Sequence, residues 1–239
     1  LFATALHAAR FDGNAWSATD TVVSGERLST TVSAVRYDSS SAALFFAMSG
    51  SRRIGKIMPG GVLLVERSAT SRRTEWVLTG SFAIAPVGVG LTTRSGSPVL
   101  YFVGDTGQST AGAFGVWTMQ RGGVPTSWTT PRQLRAFGRA SSAAAFVAET
   151  MPSGDTHLLW LDSGDSSPLR YSSLSHLWRT AKDSSWSYER ILARRQTWKM
   201  MTVGALQGSR GVVVLTTESG LPELLSVDEL DQFGEGAPR

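Results

Sequence analysis

Apolar residues along the chain cluster in short runs of about 6 to 9 residues, each closed by Gly, Ser, Pro or Asp. Such runs read as β-strands, because a half-buried helix needs ten or more residues with apolar positions three and four apart. Strands are expected at Thr30–Tyr37, Ala42–Met48, Gly61–Glu66, Trp76–Ile84, Pro98–Val103, Phe114–Met119, Ala143–Glu149, His157–Leu161, Leu169–Ser173, Gly204–Leu206 and Gly211–Thr216. Helical spacing is confined to Leu174–Ala181, expected as a turn or two inside a loop, and to the acidic tail Leu224–Gln232. Strands at this spacing with turn chemistry between them imply a sandwich, a barrel or a propeller.

A repeat decides among the three. Trp16, Trp76, Trp128 and Trp186 recur at intervals of about 50 to 60 residues, each after a polar stretch and each opening a strand. Three apolar strands precede each interior Trp, so the unit is strand, strand, strand, polar turn, Trp-strand. Asp105 and Asp162 both close a second strand. This predicts an all-β propeller of four-stranded blades in one domain over residues 1–239. Complete blades are expected over about 28–84, 87–135 and 143–192, with partial blades over 1–23 and 199–227 and a tail over 228–239. Radial closure would bury both faces of every blade, which a linear stack of sheets does not do. The four repeat tryptophans are expected to fill equivalent, largely buried niches.

The turns before them, Asp12-Gly13 ahead of Trp16 and Asp183 ahead of Trp186, resemble the Ser-x-Asp-x-Gly-x-x-Trp box of the sialidase-type (BNR, or Asp-box) β-propeller repeat. In that family the box joins the third and fourth strands and its Trp packs between blades. Trp76 and Trp128 keep only the Trp. The stretch His157-Leu-Leu-Trp-Leu-Asp162, Pro168-Leu-Arg-Tyr-Ser-Ser173 and Ser184-Ser-Trp-Ser187 is also similar to repeats of propeller lectins. The sialidase resemblance implies a glycoside hydrolase with an arginine triad for the substrate carboxylate, a Tyr nucleophile with a Glu partner, and an acidic general acid/base. The family's Arg-Ile-Pro or Arg-Leu-Pro signature does not occur in this sequence.

Composition narrows the chemistry. Cysteine is absent, which removes disulfides, thiolate metal sites and cysteine nucleophiles, and the three histidines, His7, His157 and His176, are scattered. No apolar run approaches the roughly 20 residues of a membrane span. Of 23 basic residues only Lys56, Lys182 and Lys199 are lysine, a bias toward the planar, five-donor guanidinium. The doublets Arg52-Arg53, Arg72-Arg73 and Arg194-Arg195, with Arg132, Arg135 and Arg139, could form a surface for anionic ligands such as nucleic acid or sulfated glycans, with a solvated rim as the plainer reading. A net charge of +4 gives little reason to expect nucleic acid as partner. Gly50-Ser-Arg-Arg-Ile-Gly55-Lys56 has phosphate-loop spacing, but Ile57 replaces the magnesium-holding hydroxyl and Met58-Pro59-Gly60-Gly61 blocks the helix that must follow. The turn Asp162-Ser-Gly-Asp165 reads as a plain strand connection.

No catalytic constellation, metal site or cofactor is expected. The leading reading is a non-catalytic binding module for glycan or protein. A sialidase-like glycoside hydrolase and a structural subunit of a larger assembly are the alternatives. The ligand-binding candidates are Trp178, Arg179, Arg170 and Tyr171, with Leu174–Ser185 expected as an insertion standing off its blade. The start at Leu1-Phe2 suggests a processed chain or a fragment, and a secreted or cell-surface setting is expected.

Overall fold

The computed structural model describes residues 3–9, 12–38, 43–68, 70–82, 86, 88–94, 96–105, 114–122, 127–137, 142–151, 153–163, 171–183, 185–187, 190–196, 198–205, 211–217 and 222–226. Among these, all regular structure is strand. The first sheet holds β1 (Ala3–Ala8), β2 (Asp20–Asp38), β3 (Ala43–Ser51), β4 (Gly60–Arg67) and β5 (Arg72–Phe82). The second holds β6 (Gly88–Arg94), β7 (Ser97–Asp105), β8 (Phe114–Gln120) and β9 (Arg132–Ala136). The third holds β10 (Ser142–Thr150), β11 (Thr156–Ser163), β12 (Tyr171–Arg179) and β13 (Arg190–Gln196). The fourth holds β14 (Trp198–Ala205), β15 (Gly211–Thr217) and β16 (Pro222–Ser226). Within each sheet every strand pairs antiparallel with its sequence neighbour, and among the described residues no helix is long and apolar enough to cross a membrane.

The continuous apolar runs are explained by burial on both faces of each sheet. Phe45 and Ala47 of β3, with Val62 and Leu64 of β4, pack against Val89, Leu91, Leu100, Phe102, Trp117 and Met119 of the second sheet. The alternate residues Phe46, Met48, Leu63 and Val65 form a separate cluster with Val22, Val23 and Leu28 of β2. The second sheet repeats the device. Its other face, Val99, Tyr101, Val103 and Val116, meets Phe146, Ala148, Leu158, Trp160 and Leu177 of the third sheet. Strands β2, β6, β10 and β14 join successive sheets: β6 touches β2 and β10, and β10 touches β14. Leu91 donates its N–H to Ser33 Oγ at 2.8 Å across one of these junctions. At another, Gly88 and Gly90 let β6 close on Phe146 and Ala148, where a Cβ would collide with both side chains.

The boundary expected between a partial unit over 1–23 and a blade over about 28–84 falls inside β2, one strand of 19 residues whose first part pairs with β1 and whose later part pairs with β3. Its Thr- and Val-rich sequence has no proline to stop it, and Leu28 pairs with both neighbours, with Ala3 on one side and Gly50 on the other. Two expectations need correction. Leu174–Ser185 is not an insertion. Its first six residues complete β12, where Leu174, Ser175 and His176 are buried. The polar letters hid a strand enclosed by its neighbours. Lastly, Trp16 is 70% exposed and fills no core niche. The turn Gly55-Lys56 forms a tight hairpin closed by two backbone bonds between Ile54 and Ile57, with Gly55 at φ 59°, so that motif builds no phosphate-binding helix.

Candidate functional site

Two of the repeat tryptophans occupy matching positions at the seams between sheets. After Trp128, Thr129 donates its N–H to the Gln120 carbonyl at 2.9 Å and accepts the Gln120 N–H on its hydroxyl at 3.0 Å. After Trp186, Ser187 does the same with Trp178, at 2.8 and 3.0 Å. Each indole then reaches an aromatic ring of the preceding sheet, on β3 in one seam and on β7 in the next. Trp128 packs on Phe45 at 6.1 Å, and Trp186 packs edge-on to Tyr101 at 5.8 Å. Trp76, half-buried in β5, instead joins the cluster with Met48 and Leu63.

Beside each seam Trp an arginine follows the third strand inward: Arg121 in one seam and Arg179 in the next, 8% and 7% exposed. Arg121 lies over the Phe45 ring at 5.5 Å and pairs with Glu66 at 3.0 Å. Arg179 lies over the Trp186 ring at 4.9 Å. The register shows what differs. Phe45 stands opposite Glu66, whereas Tyr101, its counterpart, stands opposite Thr118. A hydroxyl therefore takes the place of the carboxylate, and across the strand pair from Thr118 stands Arg132.

The result is a cationic cleft at one end of the second and third sheets. Two adjoining cavities, of about 240 and 250 Å3, lie on either side of Arg94 and Arg179. Neither alone reaches the usual size of a small-ligand site, about 300–1,000 Å3, but together they do. One also touches Thr118, Thr129 and Arg132, and the other Thr93, Thr150 and Thr156. Burial pushes the Arg179 guanidinium below its ordinary value; Tyr101 acts against that shift, and the charges of Arg94 and Arg132 add to it. Burial raises the Tyr101 phenol, and the Arg179 charge opposes that rise. Among the described residues, no cluster of three or more His, Asp or Glu could hold a metal ion.

The sequence-derived candidates are only partly united. Trp178 and Arg179 close β12, whereas Tyr171 opens it, so they lie at opposite ends of a nine-residue strand. Arg170 falls outside the described residues, as do Gly164 and Asp165 of the acidic turn, Arg139 and the tail over 228–239. Trp178 and Arg179 also face opposite sides of the sheet, as successive strand residues must. Arg179 enters the cleft, while Trp178 stacks on His176 at 5.2 Å. Next to that ring, His157 Nδ1 and His176 Nε2 are 2.9 Å apart in a buried, parallel pair. Trp117 and Trp160 are core residues, 6% and 0% exposed. Arg94 and the hydroxyls of the cleft carry no mark of a site in the sequence, whereas Arg132 belongs to the arginines read there as an anionic-ligand surface or a rim. The available signal is the arginine recurring at the end of β4, just after β8 and at the end of β12, Arg67, Arg121 and Arg179, with an acid just before it only in the first.

No family model matches the chain, and no curated protein does. Solved structures match in fold. NanB sialidase from Streptococcus pneumoniae superposes with a TM-score of 0.58 at 12% identity, over 94% of this chain and 36% of that one. A Hadza microbial sialidase gives 0.57 at 8% identity, over 82% and 43%. A protein of unknown function from Dyadobacter fermentans gives 0.53 at 13% identity, over 78% and 61%. The chain thus spans less than two thirds of the length of each of these structures. The likeness is one of fold alone, an all-β chain with propeller-fold neighbours.

Proposed function

We propose that the chain forms a β-propeller of four-stranded blades and serves as a non-catalytic carbohydrate-binding module, with its saccharide site in the cleft between the second and third sheets. The observation that carries this reading is the lining of the cleft, in which threonine hydroxyls alternate with guanidinium groups around a space of small-ligand size. Hydroxyls both donate and accept, as sugar hydroxyls do, and guanidinium groups present directed donors to sugar oxygens. The fold likeness to sialidases supports a carbohydrate setting by analogy.

A glycan array probed with the intact chain tests it. Retention of saccharides is expected, with loss of signal in a Thr129→Val, Thr150→Val double variant; an array blank for neutral and acidic glycans alike would overturn the reading. One observation favours a hydrolase instead. Glu149 on β10 is held above its ordinary value by burial, the direction in which the carboxyl group of a general acid is tuned. Turnover of a fluorogenic sialoside, abolished by Glu149→Gln, would establish that alternative.

A further inference from the structure

We propose that the cleft formed by Arg94, Arg132 and Arg179 is an oxyanion site that takes the carboxylate or sulfate group of an acidic saccharide. The saccharide carrier rests on the function proposed above; the anion site stands on its own geometry. The repeat supplies an internal control, because the same seam position is built twice. In the first seam the buried Arg121 is answered by Glu66 at 3.0 Å. In the second, Thr118 stands where that carboxylate would be, and Arg179 shares its surroundings with Arg94 and Arg132. Among the described residues, none of these three arginines has a carboxylate within ion-pair distance.

Three like charges converging on a partly desolvated cleft repel one another, and burial of Arg179 weakens the screening that water would provide. A bound oxyanion removes that cost. The planar guanidinium of Arg179 is held against Trp186 and is therefore preorganised for directed bonds. Arg94 is half-buried and Arg132 exposed, so the ligand can enter from solvent while one end of it meets the buried cation. The site lies at the end of the sheets that carries the β6–β7 hairpin and the Trp-bearing links from third to fourth strand.

The experiment compares thermal unfolding and titration calorimetry of the wild-type chain in sodium sulfate and in sodium chloride at equal ionic strength. It is repeated with glucuronate and with N-acetylglucosamine 6-sulfate to separate carboxylate from sulfate. Sulfate should stabilise the wild type beyond chloride. Sulfate also strengthens burial in any protein, so the deciding variant is Thr118→Glu, which supplies the acid that Glu66 supplies in the first seam. It should unfold at a higher temperature without sulfate and lose the anion-specific increment. Arg94→Gln and Arg132→Gln should each weaken anion binding about tenfold, the equivalent of one charge-assisted hydrogen bond. No excess over chloride in the wild type, or an increment that persists in Thr118→Glu, would overturn the proposal. Sulfate binding with a blank glycan array would leave the anion site standing and remove the saccharide. Neutral and acidic glycans retained equally would do the reverse.

Discussion

Arg121 and Glu66 meet within 3.0 Å, whereas Glu149 sits half-buried on β10, where burial raises its carboxyl group above the ordinary value. The sign of the consequence follows from linkage. A carboxyl group whose folded-state pKa lies above the unfolded value of about 4.5 binds its proton more tightly in the folded chain. Its contribution to stability is complete below that unfolded value and is lost as pH rises through the folded one. Glu149→Gln should therefore flatten the fall in unfolding midpoint between the ordinary carboxylate range and neutral pH, and should raise the midpoint at neutral pH. Denaturant melts across that window would show it; parallel curves for the two proteins would contradict the burial argument.

At the scale of the strand, the close approach of β6 and β10 depends on what β6 lacks. Adding a methyl at Gly90 would drive it into the Ala148 methyl and backbone, neither of which can swing away. Gly90→Ala should cost about 1–3 kcal/mol by overpacking, measured by urea unfolding, whereas Gly96→Ala in the exposed β6–β7 turn meets no atom and is opposed only by its φ of 74°. Strands such as β3, β4, β7, β8, β10 and β11 were legible because seams on both faces demand unbroken apolar runs. The second half of β12 was not. Ser175 and His176 are enclosed by the packing of whole sheets, and polar letters in a row give no periodic sign of it. The cleft was legible only in Arg179. Arg94 and Arg132 come from strands nearly forty residues apart on one sheet, and each alone looks like an ordinary charge beside a turn; Thr118 in place of an acid becomes informative only once the register pairs it with Tyr101.

Over the whole molecule, successive sheets meet mainly their neighbours, and the first two seams have separate cores. Stability in such an array is approximately a sum of local terms. Val62→Ala in the first seam and Val116→Ala in the second should each cost about 1–3 kcal/mol. The double variant should equal the sum within about 0.3–0.5 kcal/mol. Val116→Ala combined with Leu158→Ala, both in the second seam, should depart from additivity. Equal coupling in the two pairs, measured by equilibrium unfolding, would mean that the seams do not act as separate units.

The guanidinium resting 4.9 Å from the centre of the Trp186 ring has an optical consequence as well. An excited indole shifts charge across its rings, so its emission wavelength reports the local electric field. A positive charge stacked on one face of Trp186 sets that field, and an anion arriving on Arg179 would partly cancel it. The chain thereby carries its own fluorophore at the cleft. Among the described tryptophans Trp16, 70% exposed, is the indole that aqueous iodide should reach first. A Trp16→Phe background removes that solvent-quenched emission, and in it the spectrum should move on addition of sulfate; the further change Trp186→Phe should abolish the movement.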